Sequence, residues 1–273
     1  MVRQLRTLLV LLVLCTAGAQ LPFVPPEAVD GRRRLSDDSL SLCVWRPSPT
    51  AEIDAAVAEA IGQVLLLSVD LHLIDPGKNL TSDEFWRIVY AALLDDCDGF
   101  LGVRLTTDVY PDWLTTTRPY YDAKYYLVAT DNRPDGFSSF TAGDRIASPV
   151  YTEIDESVII YNSTLASERR WLRLPYEDPL QVAELVQAGS LDAAVVWEPH
   201  LSSLFRDENV PASSLVLNPV TPLQRAGDGI GIALLSNNSF TRSMLDSAIE
   251  ELMADDQLEL LIDELLEPLE RPE

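Results

Sequence analysis

WLTTTRPYYDAKYYLVA, residues 113–129, is the stretch on which the fold reading turns. It opens as a polar loop: Thr115, Thr116 and Thr117, then Arg118, Pro119 and the pair Tyr120-Tyr121. It closes as a β-prone run, Tyr125-Tyr126-Leu127-Val128. The proline fixes its own φ and pushes Arg118 toward extended geometry, so the loop enters the strand at a defined angle. Hydroxyls, one cation and aromatic faces gathered before a strand are the groups a small-ligand cleft needs. The same residues also suit a polar loop feeding a core strand whose tyrosines are buried. Chemistry alone leaves the two readings balanced.

On the N-terminal side, Leu40–Trp45 (LSLCVW) reads as a first strand. Thr50 caps a helix with Ile53, Val57, Ile61 and Val64 on one face. Residues 63–74 read as a second strand, ended by Asp75-Pro76-Gly77. A second helix starts at Thr81 or Ser82 and turns Phe85, Ile88, Val89 and Leu93 inward; Cys97–Gly102 is a short third strand. On the C-terminal side, Asp131–Gly136 is a turn-rich crossing segment. A strand begins at Arg145 and the sequence continues apolar over Ser157–Tyr161. Residues 172–174 are strand-like, and 178–188 is a helix with Val182, Leu185 and Val186 inward. Strands follow at 191–197, 215–217 and 229–235, then helix-forming sequence over 240–266 with an acidic, solvated face.

Strands alternating with helices across short turns predict an α/β fold built on parallel sheet. The segments Cys97–Gly102 and Leu191–Trp197 each run from an aspartate into an apolar strand, which predicts two similar lobes. Ligands in such folds sit at the carboxyl ends of parallel strands, between lobes.

The chain has 273 residues, 47% hydrophobic, and a formal charge of -23. That apolar fraction is ordinary for a folded protein. The charge argues against nucleic acid or an anionic membrane as a partner and favours cationic ones. Residues 1–19 read as a secretory signal peptide: Arg3 and Arg6, the apolar run Leu8–Leu14, and Ala17-Gly18-Ala19 before the cleavage point. A periplasmic, secreted location follows, and residues 20–39 read as a Pro-rich linker. Cys43 and Cys97 remain after cleavage. In an oxidising compartment a disulfide is the natural reading, worth roughly 4–5 kcal/mol by loop entropy; two buried free thiols are the alternative.

The residues Leu42-Cys43-Val44, Cys97-Asp98, Leu114–Tyr121 with Tyr125, and Asp192–Trp197 together resemble the type II periplasmic solute-binding proteins of family 3. The likeness runs in particular to the members associated with quinoprotein (methanol) dehydrogenases, the MxaJ/XoxJ type. The resemblance implies a two-lobed fold, mixed sheets flanked by helices, with a discontinuous first lobe: about 40–129 plus 226–273, and a second lobe over 130–225. It implies a non-enzymatic protein. The implied partner is a quinoprotein alcohol dehydrogenase; the alternative is a small solute delivered to a membrane permease of the ABC type, amino-acid-like or sulfonate-like. No cofactor is implied. Amino-acid-binding relatives carry an arginine several residues before the Pro-Tyr-Tyr string and a Gly-Thr turn opening lobe 2. Here 106–112 holds no arginine, and Ser148-Pro149-Val150-Tyr151 has no Gly-Thr. Glu198-Pro199 after the Val-Val-Trp strand is similar to the Trp-Glu-Pro of sulfonate and thiamine-precursor binders.

The candidate cleft residues are therefore Trp45, Arg46, Thr116, Thr117, Arg118, Tyr120, Trp197 and Glu198. Trp197 is a stacking face or a core plug; Glu198 accepts from a cation or hydroxyl, or is solvated. Arg118 binds an anion through its fork or pairs with one of the many acids. His72 reads as a core histidine. Asp37-Asp38, Asp95-Asp96 and Asp255-Asp256 lack EF-hand spacing, so no metal site is assigned. No nucleophile motif, dinucleotide fingerprint or P-loop occurs. Asn79, Asn162 and Asn237 lie in glycosylation sequons.

Overall fold

A mixed sheet of ten strands carries the fold, and one strand is shared by its two halves. The architecture comes from a computed structural model, which describes residues 38–77, 82–105, 110–206, 214–223 and 227–266. The signal-peptide reading lies outside these residues, as does the linker apart from Asp38 and Ser39; Ser39 already belongs to the first strand. Asn79 also lies outside.

The elements run β1 (Ser39–Trp45), α1 (Ala51–Leu65), β2 (Ser68–Ile74), α2 (Ser82–Asp95), β3 (Gly99–Leu105), β4 (Leu114–Thr116) and β5 (Tyr121–Ala129). Then come β6 (Arg145–Pro149), α3 (Glu153–Thr164), β7 (Leu172–Tyr176), α4 (Pro179–Gln187), β8 (Ala193–Trp197) and α5 (Glu198–Arg206). β9 (Val216–Pro219), β10 (Gly227–Leu235), α6 (Ser239–Ala254) and α7 (Gln257–Leu266) complete the described chain. The strand order is β2-β1-β3-β10-β5-β8-β6-β7, with β4 on β10 and β9 on β5. β2-β1-β3 and β8-β6-β7 are parallel groups; β10 and β5 join them in antiparallel fashion.

β5 changes partners along its length. Tyr121–Lys124 pair with β10, whereas Tyr125–Ala129 lie between β8 and β9. Its burial changes at the same point, from alternating exposure to five consecutive buried residues. One half sits on a sheet with a wet face; the other is covered on both faces.

α1, α6 and α7 pack over one face of the first sheet around Leu42, Val57, Ile61 and Leu245. α2 covers the other face with Val89, Ala92 and Leu93, around Phe100. Cys43 and Cys97 are joined there as a disulfide, with a Cα–Cα distance of 5.7 Å. In the second half, α4 and α5 close over β8 through Val182, Val186, Val196 and Leu201.

Three local expectations change. The strand predicted over 63–74 is split: α1 continues to Leu65, Leu66 turns the chain at φ 56°, and β2 begins at Ser68. The unbroken apolar run 64–67 fits a helix end and a strand start equally well, so periodicity could not divide it. The apolar segment Ser157–Tyr161, given no element from sequence, lies in α3. The Thr152 side chain accepts from the Asp155 amide and caps α3, which leaves Ile159 and Ile160 exposed. Thr50 does not cap α1 through its hydroxyl; it donates to the Asp54 carboxylate instead, at 2.8 Å. The helix-forming sequence at the C-terminal end is realised as two helices parted at Asp255-Asp256, and Leu185 of α4 is 40% exposed rather than inward.

Candidate functional site

The tyrosines of the 113–129 stretch share one task. Tyr120 donates to Asp54 at 2.6 Å, and Tyr121 to Glu198 at 2.7 Å. Tyr125 donates to Asp228 at 2.8 Å, and Tyr126 to Glu198 at 3.3 Å. All three carboxylates are buried. A buried carboxylate is stable only with donors around it, so this stretch carries a hydroxyl for each. Burial pushes the Asp54 carboxyl up to about 7, against the opposing hydrogen bonds from Tyr120 and Thr50. The Tyr120 hydroxyl is itself raised, first by burial and then by the Asp54 charge.

At the carboxyl end of β8 the polypeptide forms a cleft of about 200 Å³. Arg104, Tyr125, Tyr151, Tyr176, Trp197 and His200 are among its lining residues. Arg104, from the end of β3, lays its guanidinium over the Trp197 ring at 3.8 Å. The same guanidinium lies 3.9 Å from the Asp228 carboxylate. Strands from the two halves of the sheet thus meet through one cation–π contact, while the ion pair anchors the guanidinium to β10 within the first half. Tyr110 donates to the Arg104 carbonyl at 2.8 Å, which fixes the backbone behind the guanidinium. His200 stands edge-on to Trp197 at 5.9 Å. Burial, seconded by the Arg104 charge, holds its imidazole down at about 4, so it is neutral at physiological pH. Burial also raises the Tyr176 hydroxyl, which donates to the Val195 carbonyl. Trp197 Nε1 is buried without a hydrogen-bond partner.

The eight candidate cleft residues are not brought together. Trp197 lines the cleft. Glu198 is turned to β5, where it accepts from Tyr121, Tyr126 and the Lys124 amide. Tyr120 is in the core of the first half. Thr117 is buried and structural: its hydroxyl donates to the Arg118 carbonyl and accepts from the Ile232 amide. Thr116 pairs with Ala233 in the β4–β10 ladder. Arg118 is on the surface, paired with Glu250 of α6 at 3.0 Å, and its amide donates to Asp246. Arg46 is exposed and pairs with Asp75 at 3.4 Å. Trp45 is half-buried against Phe85.

Sequence reasoning missed Arg104, Asp228 and His200. The available signal was position: Arg104 ends an apolar strand, where a charge has no packing role, two residues before the segment searched for an arginine. Among the described residues, no three His, Cys, Asp or Glu side chains are grouped to hold a metal ion. No described helix is long and apolar enough to cross a membrane.

The fold is that of the type II, family-3 solute-binding proteins. The L-cystine solute receptor of Neisseria gonorrhoeae, in its unliganded open form, superposes with a TM-score of 0.63 at 16% identity, covering 85% of this chain and 94% of the receptor. The second substrate-binding domain of GlnP from Lactococcus lactis, also open, gives 0.63 at 15%, covering 86% and 97%. The second substrate-binding domain of a putative amino acid ABC transporter of Streptococcus pneumoniae gives 0.62 at 16%, covering 83% and 99%. Among curated proteins, the chain is similar to protein MoxJ of Paracoccus denitrificans, 25% identical over 244 residues, which are 82% of this chain and 83% of MoxJ. No protein-family model matches.

Proposed function

We propose that this is a secreted, non-enzymatic binding protein that assists a periplasmic quinoprotein alcohol dehydrogenase by docking to it. The observation that carries the reading is Arg104 lying across Trp197. In this arrangement the chain's own cation covers the aromatic face of the cleft, and that cation is itself paired with the buried carboxylate Asp228, which also accepts from Tyr125. A zwitterionic solute needs one cation and one carboxylate at its disposal. The space beside Arg104 and Trp197 is about 200 Å³, and the larger groove that adjoins it at Tyr151 and Tyr176, about 780 Å³, is lined by residues 147–191 of the second half alone. The similarity to MoxJ along most of both chains supports the same reading. We place the lobe boundary within β5, between Lys124 and Tyr125, rather than after Ala129, because the strand changes partners there.

A second reading, a receptor for a small solute, is favoured by Trp197 Nε1, a buried N–H that a ligand acceptor could satisfy. A thermal-shift screen with amino acids, sulfonates and short alcohols, run beside pull-down with the dehydrogenase, separates them. Retention of the enzyme without any solute shift supports the first reading. A large shift with one solute and no retention replaces it with the second, since a ligand that binds only the native state raises Tm.

A further inference from the structure

α2 has two apolar faces. Val89, Ala92 and Leu93 are buried against the sheet. Trp86, Tyr90 and Leu94, four residues apart, form a second stripe on the outer side. Tyr90 is 40% exposed and Leu94 41%. Trp113, just before β4, joins the stripe, with ring centroids 4.9 Å from Tyr90 and 6.3 Å from Trp86. Trp86 continues inward to Phe85, at 5.1 Å, and Phe85 to Trp45, at 5.2 Å. Three of the five tryptophans of the chain are thus half-buried in one rigid array. Trp and Tyr held rigidly at the surface are the side chains that dominate protein–protein interfaces.

The charges around the stripe say what fits it. Asp83, Asp95, Asp96 and Asp112 are exposed at its ends, and the helix carries one exposed cation, Arg87. Asp95 stands at the helix C-terminus, where the backbone dipole disfavours negative charge, and no basic residue occupies that turn. A cationic surface seated there relieves this repulsion. The net charge of -23 works in the same direction over longer range.

We propose that the outer face of α2, Trp86, Tyr90 and Leu94 with Trp113 beside them, docks a basic protein surface whose lysine or arginine side chains lie over the exposed rings. This rests on the docking reading above, and names the surface that performs it.

The test passes purified quinoprotein alcohol dehydrogenase from the same cells over the immobilised protein. Tyr90→Ala is expected to weaken binding about 10-fold. Leu94→Lys, on the same face, and the pair Asp95→Lys with Asp96→Lys are expected to do so at least as strongly, and the pair to flatten the salt dependence. The pair Glu59→Lys with Glu184→Lys makes the same charge change on distant helices and is expected to stay within about twofold of wild type. Circular dichroism and Tm confirm that each variant is folded. If wild type binds and the α2 variants match the distant pair, the surface is wrong and the docking reading stands. If wild type does not bind, both are overturned.

Discussion

Tyr120 donates to the Asp54 carboxylate across 2.6 Å and so ties the first helix to the residue just ahead of the strand shared by both sheet halves. The Gly102 amide donates to the same Tyr120 oxygen at 2.9 Å, bringing β3 into the junction. Three elements far apart in sequence meet at one buried carboxyl, and its ionisation bears on all three.

Stability is expected to fall as pH rises between about 4 and about 7. Burial raises the folded-state value of Asp54 to about 7, above its unfolded value. The folded state therefore holds the proton more tightly, and that contribution, complete below about 4, is lost as pH climbs through 7. Thermal melts across pH 4–8 should show the decline superimposed on other groups, and Asp54→Asn should flatten it. A variant with the same slope as wild type would assign the dependence elsewhere.

Gly102→Ala should destabilise by about 2–4 kcal/mol. Its φ is +78°, and a Cβ there would stand 2.5 Å from Asp54 Oδ2 and 3.2 Å from Thr50 Oγ1. The new methyl meets the network in backbone that L-residues avoid. Urea denaturation gives the number; a loss under about 0.5 kcal/mol would mean that the network moves aside freely.

The Arg104–Trp197 contact should contribute about 0.5–2 kcal/mol of coupling in a double-mutant cycle of Arg104→Ala and Trp197→Leu. Additive effects on unfolding free energy would show that the guanidinium and ring do not act together.

Glu198 and Arg118, both plausible ligand contacts in sequence, should behave oppositely. Glu198→Ala strips three hydrogen bonds from Tyr121, Tyr126 and Lys124 and should cost about 2–4 kcal/mol. Arg118→Ala removes an exposed ion pair to Glu250 and should cost under about 1 kcal/mol. Chemical denaturation of the two variants settles the contrast; equal losses would remove it.

Cys43→Ser should lower stability by about 2–5 kcal/mol in oxidising buffer, because the bridge closes a sequence separation of 54. In reducing buffer the variant and wild type should melt together, and a persisting gap would point to packing rather than to the bond.

The two-lobed α/β fold was legible because it is written in local pattern. β1, β8 and the inward face of α1 are continuous or periodic apolar runs of the kind that only burial explains. The disulfide was legible from compartment and count. The cleft was not, since its parts converge only in three dimensions: Arg104 and Trp197 belong to different halves of the sheet, yet the guanidinium lies 3.8 Å from the ring centroid. The WLTTTRPYYDAKYYLVA string drew attention to the right place for a different reason. Its hydroxyls answer the chain's own buried acids, and a hydroxyl looks the same in sequence whether its acceptor is a ligand or Asp54. Local ambiguity accounts for the rest: Gln63–Leu67 suits two elements, and Ser157–Tyr161 is apolar in the manner of a strand while Thr152 caps a helix through it.

β5 crosses from one half of the sheet to the other without a break, so a change of angle between the halves would twist it near Lys124–Tyr125. The strand works there as a torsion bar. Glu198 grips it on both sides of the twisting point, through Tyr121 ahead and Tyr126 behind. One carboxylate, outside the cleft, thereby ties the bar down on either side of that point.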